Sequence, residues 1–169
     1  RNAPLSWPPR TLTCSTKQRW RTIFWGGDRA LEYGRSALTV RPNAATHLVV
    51  ALCLQKLQRI DEARSAYRKT IAIDSQLLYA YTLLAATLPL EQAIAVLENA
   101  VAAGIENAEL YKHLGRNYFE LGDAPSAAEF QRQAIVLDPE NIQAHSNLGT
   151  ILATMGLLDQ ARAAYTRAS

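Results

Sequence analysis

The side chains in this sequence that could do chemistry are three histidines, two cysteines and a glycine pair. His47 and His145 occupy equivalent slots of two related segments, where a packed aromatic residue is usual, and His113 stands apart from both. A metal site needs three or four ligands that converge on one point, and this arrangement argues against one. The glycines at 26–27 lack the spacing and the lysine of a phosphate-binding loop. No nucleophile stands beside a base, so we expect a protein without catalytic residues, metal or cofactor.

Charge is unevenly distributed along the chain. Up to Arg41 there are eight basic residues against Asp28 and Glu32, whereas the remainder carries more acidic than basic residues. A basic end can attract an anionic partner such as nucleic acid or a membrane surface, or it can simply be a solvated helix face. Both interpretations stay open, and the second is the simpler one.

The composition limits the class of protein. The chain has 169 residues, of which 49% are hydrophobic and 20% charged, enough for one domain with a substantial core. No stretch approaches the roughly 18 consecutive apolar residues of a membrane span. Two cysteines, Cys14 and Cys53, are too few for a disulfide framework and favour a reducing, cytoplasmic location. Because the chain begins with Arg1, we expect a fragment of a longer protein, which leaves room for an upstream anchor.

A 34-residue interval governs the second half of the chain. Leu114 and Gly115 are followed 34 residues later by Leu148 and Gly149. The same interval separates three further identical pairs: Gly122 and Gly156, Ala127 and Ala161, and Ala134 and Ala168. This is the length of a helix, a turn, a second helix and a linker. The glycine of the Leu-Gly pair and the alanines would let helices approach closely, and the lone glycine would end the first helix in a left-handed conformation before Asp123 caps the second.

The same rule divides the rest of the chain into less regular units. Residues 44–77 fit well, whereas in 78–107 the alanines arrive early and the first helix is expected to lose one turn near Pro89. The predicted organisation is a Pro-rich extended segment (1–12), a degenerate repeat or N-terminal cap (13–43), a repeat (44–77), a shortened repeat (78–107), a repeat (108–141) and a truncated final repeat (142–169). The cap is expected to begin at Ser15 with Gln18 in a capping box, and to pack through Trp20, Ile23 and Phe24.

The pattern resembles the tetratricopeptide repeat family. Residues 108–141 carry its signature at Tyr111, Leu114, Gly115, Tyr118, Ala127, Ala134 and Pro139, and depart from it where Gln131 replaces an aromatic residue with Phe130 one place early. The final unit matches at Leu148, Gly149, Ala161, Tyr165 and Ala168. The resemblance implies an all-α, right-handed α-solenoid of stacked antiparallel hairpins, with about four repeats and an N-terminal helical cap, whose first helices line a concave groove.

Family membership would imply a scaffold or adaptor that binds an extended peptide or partner protein in that groove. The groove residues implied by the resemblance are Leu48, Leu52, Tyr79, Thr82, Lys112, Arg116, Phe119, Gln143 and Asn147. The first four make an apolar half and the others a polar half with a basic centre, which suits a peptide with a hydrophobic anchor and an acidic or C-terminal carboxylate group. Lys112 and Asn147 match two slots of the family's carboxylate clamp, but Arg116 replaces an asparagine.

The scaffold hypothesis has one alternative, and two further expectations concern Lys112 and the last helix. The chain could be the substrate-docking region of a larger enzyme, because the segment around Asn147 is similar to repeats of O-linked glycosyltransferases. Lys112 could merely pair with Glu109 on a solvated face. The last helix exposes Leu158 and Tyr165 in the predicted arrangement, so the array is expected either to continue or to self-associate end to end.

Overall fold

The computed structural model describes residues 27–168, and within that range every regular element is an α-helix. The helices are α1 (Gly27–Val40), α2 (Ala44–Lys56), α3 (Ile60–Ile73), α4 (Leu78–Ala85), α5 (Leu90–Ala102), α6 (Ala108–Leu121), α7 (Ala124–Leu137), α8 (Ile142–Thr154) and α9 (Leu158–Arg167). They form four consecutive hairpins, α2/α3, α4/α5, α6/α7 and α8/α9, and α1 packs on the first of them. The expected all-α solenoid is thus confirmed. The proposed cap residues Ser15, Gln18, Trp20, Ile23 and Phe24 lie outside the described residues.

Glycines end the first helices of the last two hairpins, as the repeat pattern predicts. Gly122 and Gly156 adopt φ values of 92° and 77°, in the left-handed region that other residues avoid. In the hairpin α2/α3 the equivalent place holds Gln58, which adopts a φ of 60°. The turn therefore keeps its geometry in the first hairpin without its glycine, at a backbone cost of about 1 kcal/mol.

Side-chain caps fix where four of the helices begin. Asn43, Asn107 and Asn141 accept hydrogen bonds from backbone N–H groups in the first turns of α2, α6 and α8. Asp123 does the same for α7 through the N–H of Ser126, which confirms its predicted role. Each cap satisfies a donor that has no partner within its own helix, and thereby fixes the start of the helix.

The hairpin α4/α5 is irregular because its first helix is short. Helix α4 has 8 residues, against 13 or 14 in α2, α6 and α8, and the chain turns into α5 at Pro89. The early alanines predict this lost turn. The structure adds a contact that the pattern does not reveal: the guanidinium of Arg64 on α3 donates to the carbonyl oxygen of Thr87, just beyond the end of α4. A cation there satisfies a carbonyl at the helix C-terminus and complements the helix dipole.

The hydrophobic core runs along the stack rather than forming one ball. Buried side chains between residues 27 and 168 gather in three clusters, around Tyr67 in the first hairpin, Leu97 and Leu114 in the middle, and Ile151 at the end. Each hairpin buries its apolar face only against its neighbours, as repeat proteins do. Neighbouring repeats therefore hold the first helices in register, which positions the candidate site.

Candidate functional site

All nine predicted groove residues lie on the first helices of the four hairpins. Leu48 and Leu52 belong to α2, Tyr79 and Thr82 to α4, and the polar residues to α6 and α8. Helix α4 contacts α6 and α6 contacts α8, and α2 shares with α4 the hydrophobic cluster that contains Leu54 and Leu84, so the four first helices form a row. None of the nine side chains is fully buried. They are therefore available to a ligand along one row of helices.

The half formed by α2 and α4 is apolar. Tyr79 is exposed, and Leu48, Leu52 and Thr82 are half-buried. The Thr82 hydroxyl donates to the carbonyl oxygen of Tyr79 within its own helix, so it offers little polarity to a ligand. Helix α4 carries no Asp, Glu, Lys or Arg at all. This half of the row can bury the apolar side chains of a partner.

Five side chains of α6 form a network in the polar half, which we call the α6 charge cluster (Glu109, Lys112, His113, Arg116 and Glu120). The Glu109 carboxylate lies 2.6 Å from Lys112 Nζ through one oxygen and 3.2 Å from His113 Nε2 through the other. Arg116 Nη2 lies 3.5 Å from His113 Nδ1, and Arg116 Nε lies 3.8 Å from Glu120. The sequence spacing indicates the pairing of Lys112 with Glu109. It does not reveal the second contact of Glu109, with His113.

Histidine protonation sets the charge of this cluster. Burial lowers the pKa of His113, and Arg116 and Lys112 lower it further, whereas Glu109 opposes them. A neutral ring with its proton on Nε2 can donate to Glu109 and accept from Arg116 at Nδ1, which agrees with the observed contacts.

Charged residues on the neighbouring helices have partners of their own. Glu98 on α5 accepts a hydrogen bond from Tyr118, and Glu129 pairs with Arg132 on α7. Helices α4 and α8 carry no Asp, Glu, Lys or Arg. The charge of the α6 charge cluster is therefore set by residues of α6 itself.

Phe119, Gln143 and Asn147 complete the polar half. Phe119 is half-buried and packs on the last hydrophobic cluster, Gln143 is exposed, and Asn147 is half-buried. Lys112 and Asn147 lie on α6 and α8, which are in contact. The amides of Gln143 and Asn147 can supply hydrogen bonds to a peptide beside the charged groups of α6.

Side chains from the second helices reach the row between first-helix residues, which sequence reasoning missed. The Tyr67 hydroxyl donates to Gln55 at 2.5 Å, and Tyr165 shares a hydrogen bond of 3.0 Å with Thr150. Both tyrosines occupy the repeat position where an aromatic residue is usual, opposite a small residue of the first helix. This pairing of positions is the sequence signal from which the contacts could have been predicted. In the third hairpin the slot holds Gln131, which is fully buried and donates to the Lys112 carbonyl oxygen at 3.1 Å.

The aromatic residue that is missing at Gln131 has moved by one place. Phe130 stacks on Tyr111 and Tyr118, with ring centroids 6.2 and 5.2 Å apart. A Cβ on Gly115 would lie 2.5 Å from Gln131 Nε2 and 3.0 Å from the Ala127 carbonyl oxygen, so the two helices meet closely here. Phe130 thus supplies aromatic packing one place early, and Gln131 fills the aromatic position beside Gly115.

An exposed part of α9 is apolar. Leu158 is 69% exposed and Tyr165 41% exposed. A shallow cavity of about 450 Å³ lies there, lined by Ala153, Leu158, Ala161, Arg162, Tyr165 and Thr166. We call it the end surface.

Metal sites and membrane spans are both absent from the described part of the chain. No group of three or more His, Cys, Asp or Glu side chains is placed to hold a metal ion between residues 27 and 168. Within the same range, no helix is both long and apolar enough to cross a membrane.

Comparison with known proteins finds tetratricopeptide repeats both among family models and among similar solved structures. Family models described as tetratricopeptide repeat match residues 44–77, 82–142 and 114–169, more than half of the chain. No curated protein sequence matches. Among solved structures, MamA is 24% identical over 91% of this chain and 92% of its own, with a TM-score of 0.75. YrrB, described as a TPR protein with an unusual peptide-binding site, is 24% identical over 82% and 74%, with a TM-score of 0.69. TTC0263, a thermophilic TPR protein of Thermus thermophilus, is 24% identical over 89% of each chain, with a TM-score of 0.62. These likenesses concern the fold.

Proposed function

Because the chain belongs to the tetratricopeptide repeat family, we propose that it is a protein-interaction scaffold that binds an extended peptide along α2, α4, α6 and α8. The observation that carries this proposal is that all nine candidate side chains lie at least partly exposed on those helices. A row of this kind offers separate contacts to successive side chains of an extended chain. YrrB, whose fold is similar, is described as having a peptide-binding site.

The two halves of the row define the ligand. The apolar half, with Leu52 and Tyr79, suits a hydrophobic anchor, because burial of apolar area is the main source of affinity there. The polar half, with Lys112, Arg116 and Asn147, suits an acidic side chain or a C-terminal carboxylate, which accepts charge-assisted hydrogen bonds. The preferred partner is therefore a peptide segment that is apolar at one end and anionic at the other.

The scaffold itself performs no chemistry in this proposal. The titratable groups of the α6 charge cluster pair with one another, and none of them pairs a nucleophile with a base. We infer that it works in the cytoplasm, in keeping with the small number of cysteines and the buried thiol of Cys53.

Selection from a random library of peptides displayed with free C termini tests the proposal. We expect selected peptides to combine Leu, Ile or Phe with Asp, Glu or a terminal carboxylate. Leu52→Asp should remove the apolar preference, and Lys112→Glu with Arg116→Glu should remove the acidic one. Matched controls are Val136→Asp, at an exposed apolar residue of α7, and Arg132→Glu, at an exposed cation of α7. Failure to enrich any peptide class, or equal effects of the control variants, would overturn the proposal.

We also propose that two copies associate through the end surface. Its support is the exposed apolar area of Leu158 and Tyr165 on α9. Leu158→Glu is the cleaner test, because Tyr165 also packs on Gly149 within the hairpin. Sedimentation at increasing concentration should show association of the wild type and its loss in the variant. A wild type that stays monomeric throughout would contradict the proposal.

A further inference from the structure

Glu109 occupies two half-buried nitrogen donors of the polar half. Its carboxylate oxygens lie separately on Lys112 Nζ, at 2.6 Å, and on His113 Nε2, at 3.2 Å. The Lys112 and His113 side chains are 21% and 27% exposed, whereas Glu109 is 49% exposed. A carboxylate with one donor on each oxygen is the arrangement expected of a bound acidic ligand. Here the chain supplies that carboxylate itself.

The charges of the cluster balance while Glu109 is in place. Glu109 offsets Lys112, Glu120 stands beside Arg116, and a neutral His113 ring can accept from Arg116 at Nδ1. The neighbouring first helices α4 and α8 add no Asp, Glu, Lys or Arg. The polar half therefore presents cationic side chains without a net positive charge, and long-range attraction of an anionic ligand is weak.

We propose that Glu109 is an intramolecular competitor for the anionic group of the ligand, and that an acidic peptide binds α6 by displacing the Glu109 carboxylate from Lys112 and His113. This inference rests on the proposed function of the groove. Arg116, which is 59% exposed and whose contact with Glu120 is long at 3.8 Å, is the first cation that the ligand meets. Glu109 then turns toward solvent as the ligand takes its place.

Exchange of the Glu109 carboxylate for a ligand carboxylate adds little to the free energy of binding. The ligand forms ion pairs similar to those that it breaks, so a single acidic group adds less to affinity than the two cations alone would suggest. Ligands with two adjacent anionic groups gain more, because one can pair with Arg116 while the other replaces Glu109. Glu109 therefore sets a threshold of ligand charge and makes the groove selective.

The test compares a pair of fluorescein-labelled peptides by fluorescence anisotropy. One is the peptide most enriched by the wild type, and its twin carries Asn, Gln and a terminal amide in place of the anionic groups. The measured quantity is the ratio of the two dissociation constants. We expect Glu109→Gln to raise the preference for the acidic peptide about fivefold, on the scale of one partly exposed ion pair. Glu120→Gln, which removes the same charge from the same helix, should change the preference less than about twofold.

A double-mutant cycle identifies the cause. In a Lys112→Gln background, Glu109→Gln should raise the preference clearly less, since one of its two partners is absent and only the His113 contact is left to break. Circular dichroism melting of each variant checks that the fold is retained. An unchanged preference in Glu109→Gln, or an equal gain in Glu120→Gln, would overturn the inference. If the wild type enriches acidic peptides through Lys112 and Glu109→Gln has no effect, only this inference fails. If no variant enriches any peptide, the proposed function fails instead.

Discussion

The ring of Tyr165 on α9 fills the space beside Gly149 on α8: a Cβ on Gly149 would lie 2.8 Å from two carbons of that ring. The absence of a side chain at Gly149 thus lets the last hairpin close, and the Tyr165 hydroxyl then reaches Thr150 at 3.0 Å. This contact explains why a glycine at this place and a large residue in the second helix occur together in the repeat.

Gly149→Ala should lower the free energy of unfolding by about 1–3 kcal/mol, because the methyl group displaces the ring. Urea unfolding measures the change. In a Tyr165→Ala background the same substitution should be harmless or stabilising by up to about 1 kcal/mol, since alanine favours helices. An equal loss in both backgrounds would contradict the packing explanation.

Gln58→Gly should raise the free energy of unfolding by about 0.5–1 kcal/mol, because Gln58 adopts a left-handed conformation that costs glycine little. Thermal melting followed by circular dichroism measures it. As the reverse control, Gly122→Ala should destabilise by about 1 kcal/mol, although the added Cβ would meet no other part of the chain within 4 Å. A destabilised Gln58→Gly protein would count against the assigned turn.

Arg64→Met should lower the free energy of unfolding by about 1–2 kcal/mol, because a charged hydrogen bond to the Thr87 carbonyl is lost at the end of the short helix α4. The matched control is Arg132→Met, whose cation lies 3.7 Å from Glu129 and is about half exposed, with an expected change within about 0.5 kcal/mol. Similar losses in the two variants would show that Arg64 has no special role.

Acidification should destabilise the protein through His113. Its folded-state pKa lies below the ordinary value of 6.5, so the unfolded chain takes up the proton first as the pH falls. The free energy of unfolding should therefore decline as the pH falls through 6.5 toward the folded-state pKa, and stay level above this window. His113→Gln should show a smaller decline in urea unfolding at matched pH values. A decline of the same size in both proteins would exclude His113 as a source.

The sequence predicted those features that are set by residue types close together in the chain. The glycine turns at Gly122 and Gly156, the cap by Asp123 and the short helix before Pro89 all depend on local residue types. The contact of Arg64 with Thr87 was not predictable in this way, because it joins different hairpins through one long side chain. The contact of Glu109 with His113 was not predicted for a related reason. Helical spacing allows Glu109 to pair with Lys112 or with His113, and only the packing of the side chains determines that both pairs form.

The binding surface can be mapped directly by titrating the most enriched acidic peptide into ¹⁵N-labelled protein and following amide chemical shifts. The account predicts that shifts concentrate on α2, α4, α6 and α8, including the amides of Leu52, Tyr79, Lys112 and Asn147, and that α3, α5 and α7 change little. Perturbations confined to the end surface on α9, or spread over the second helices, would contradict the claim that the row of first helices binds the peptide.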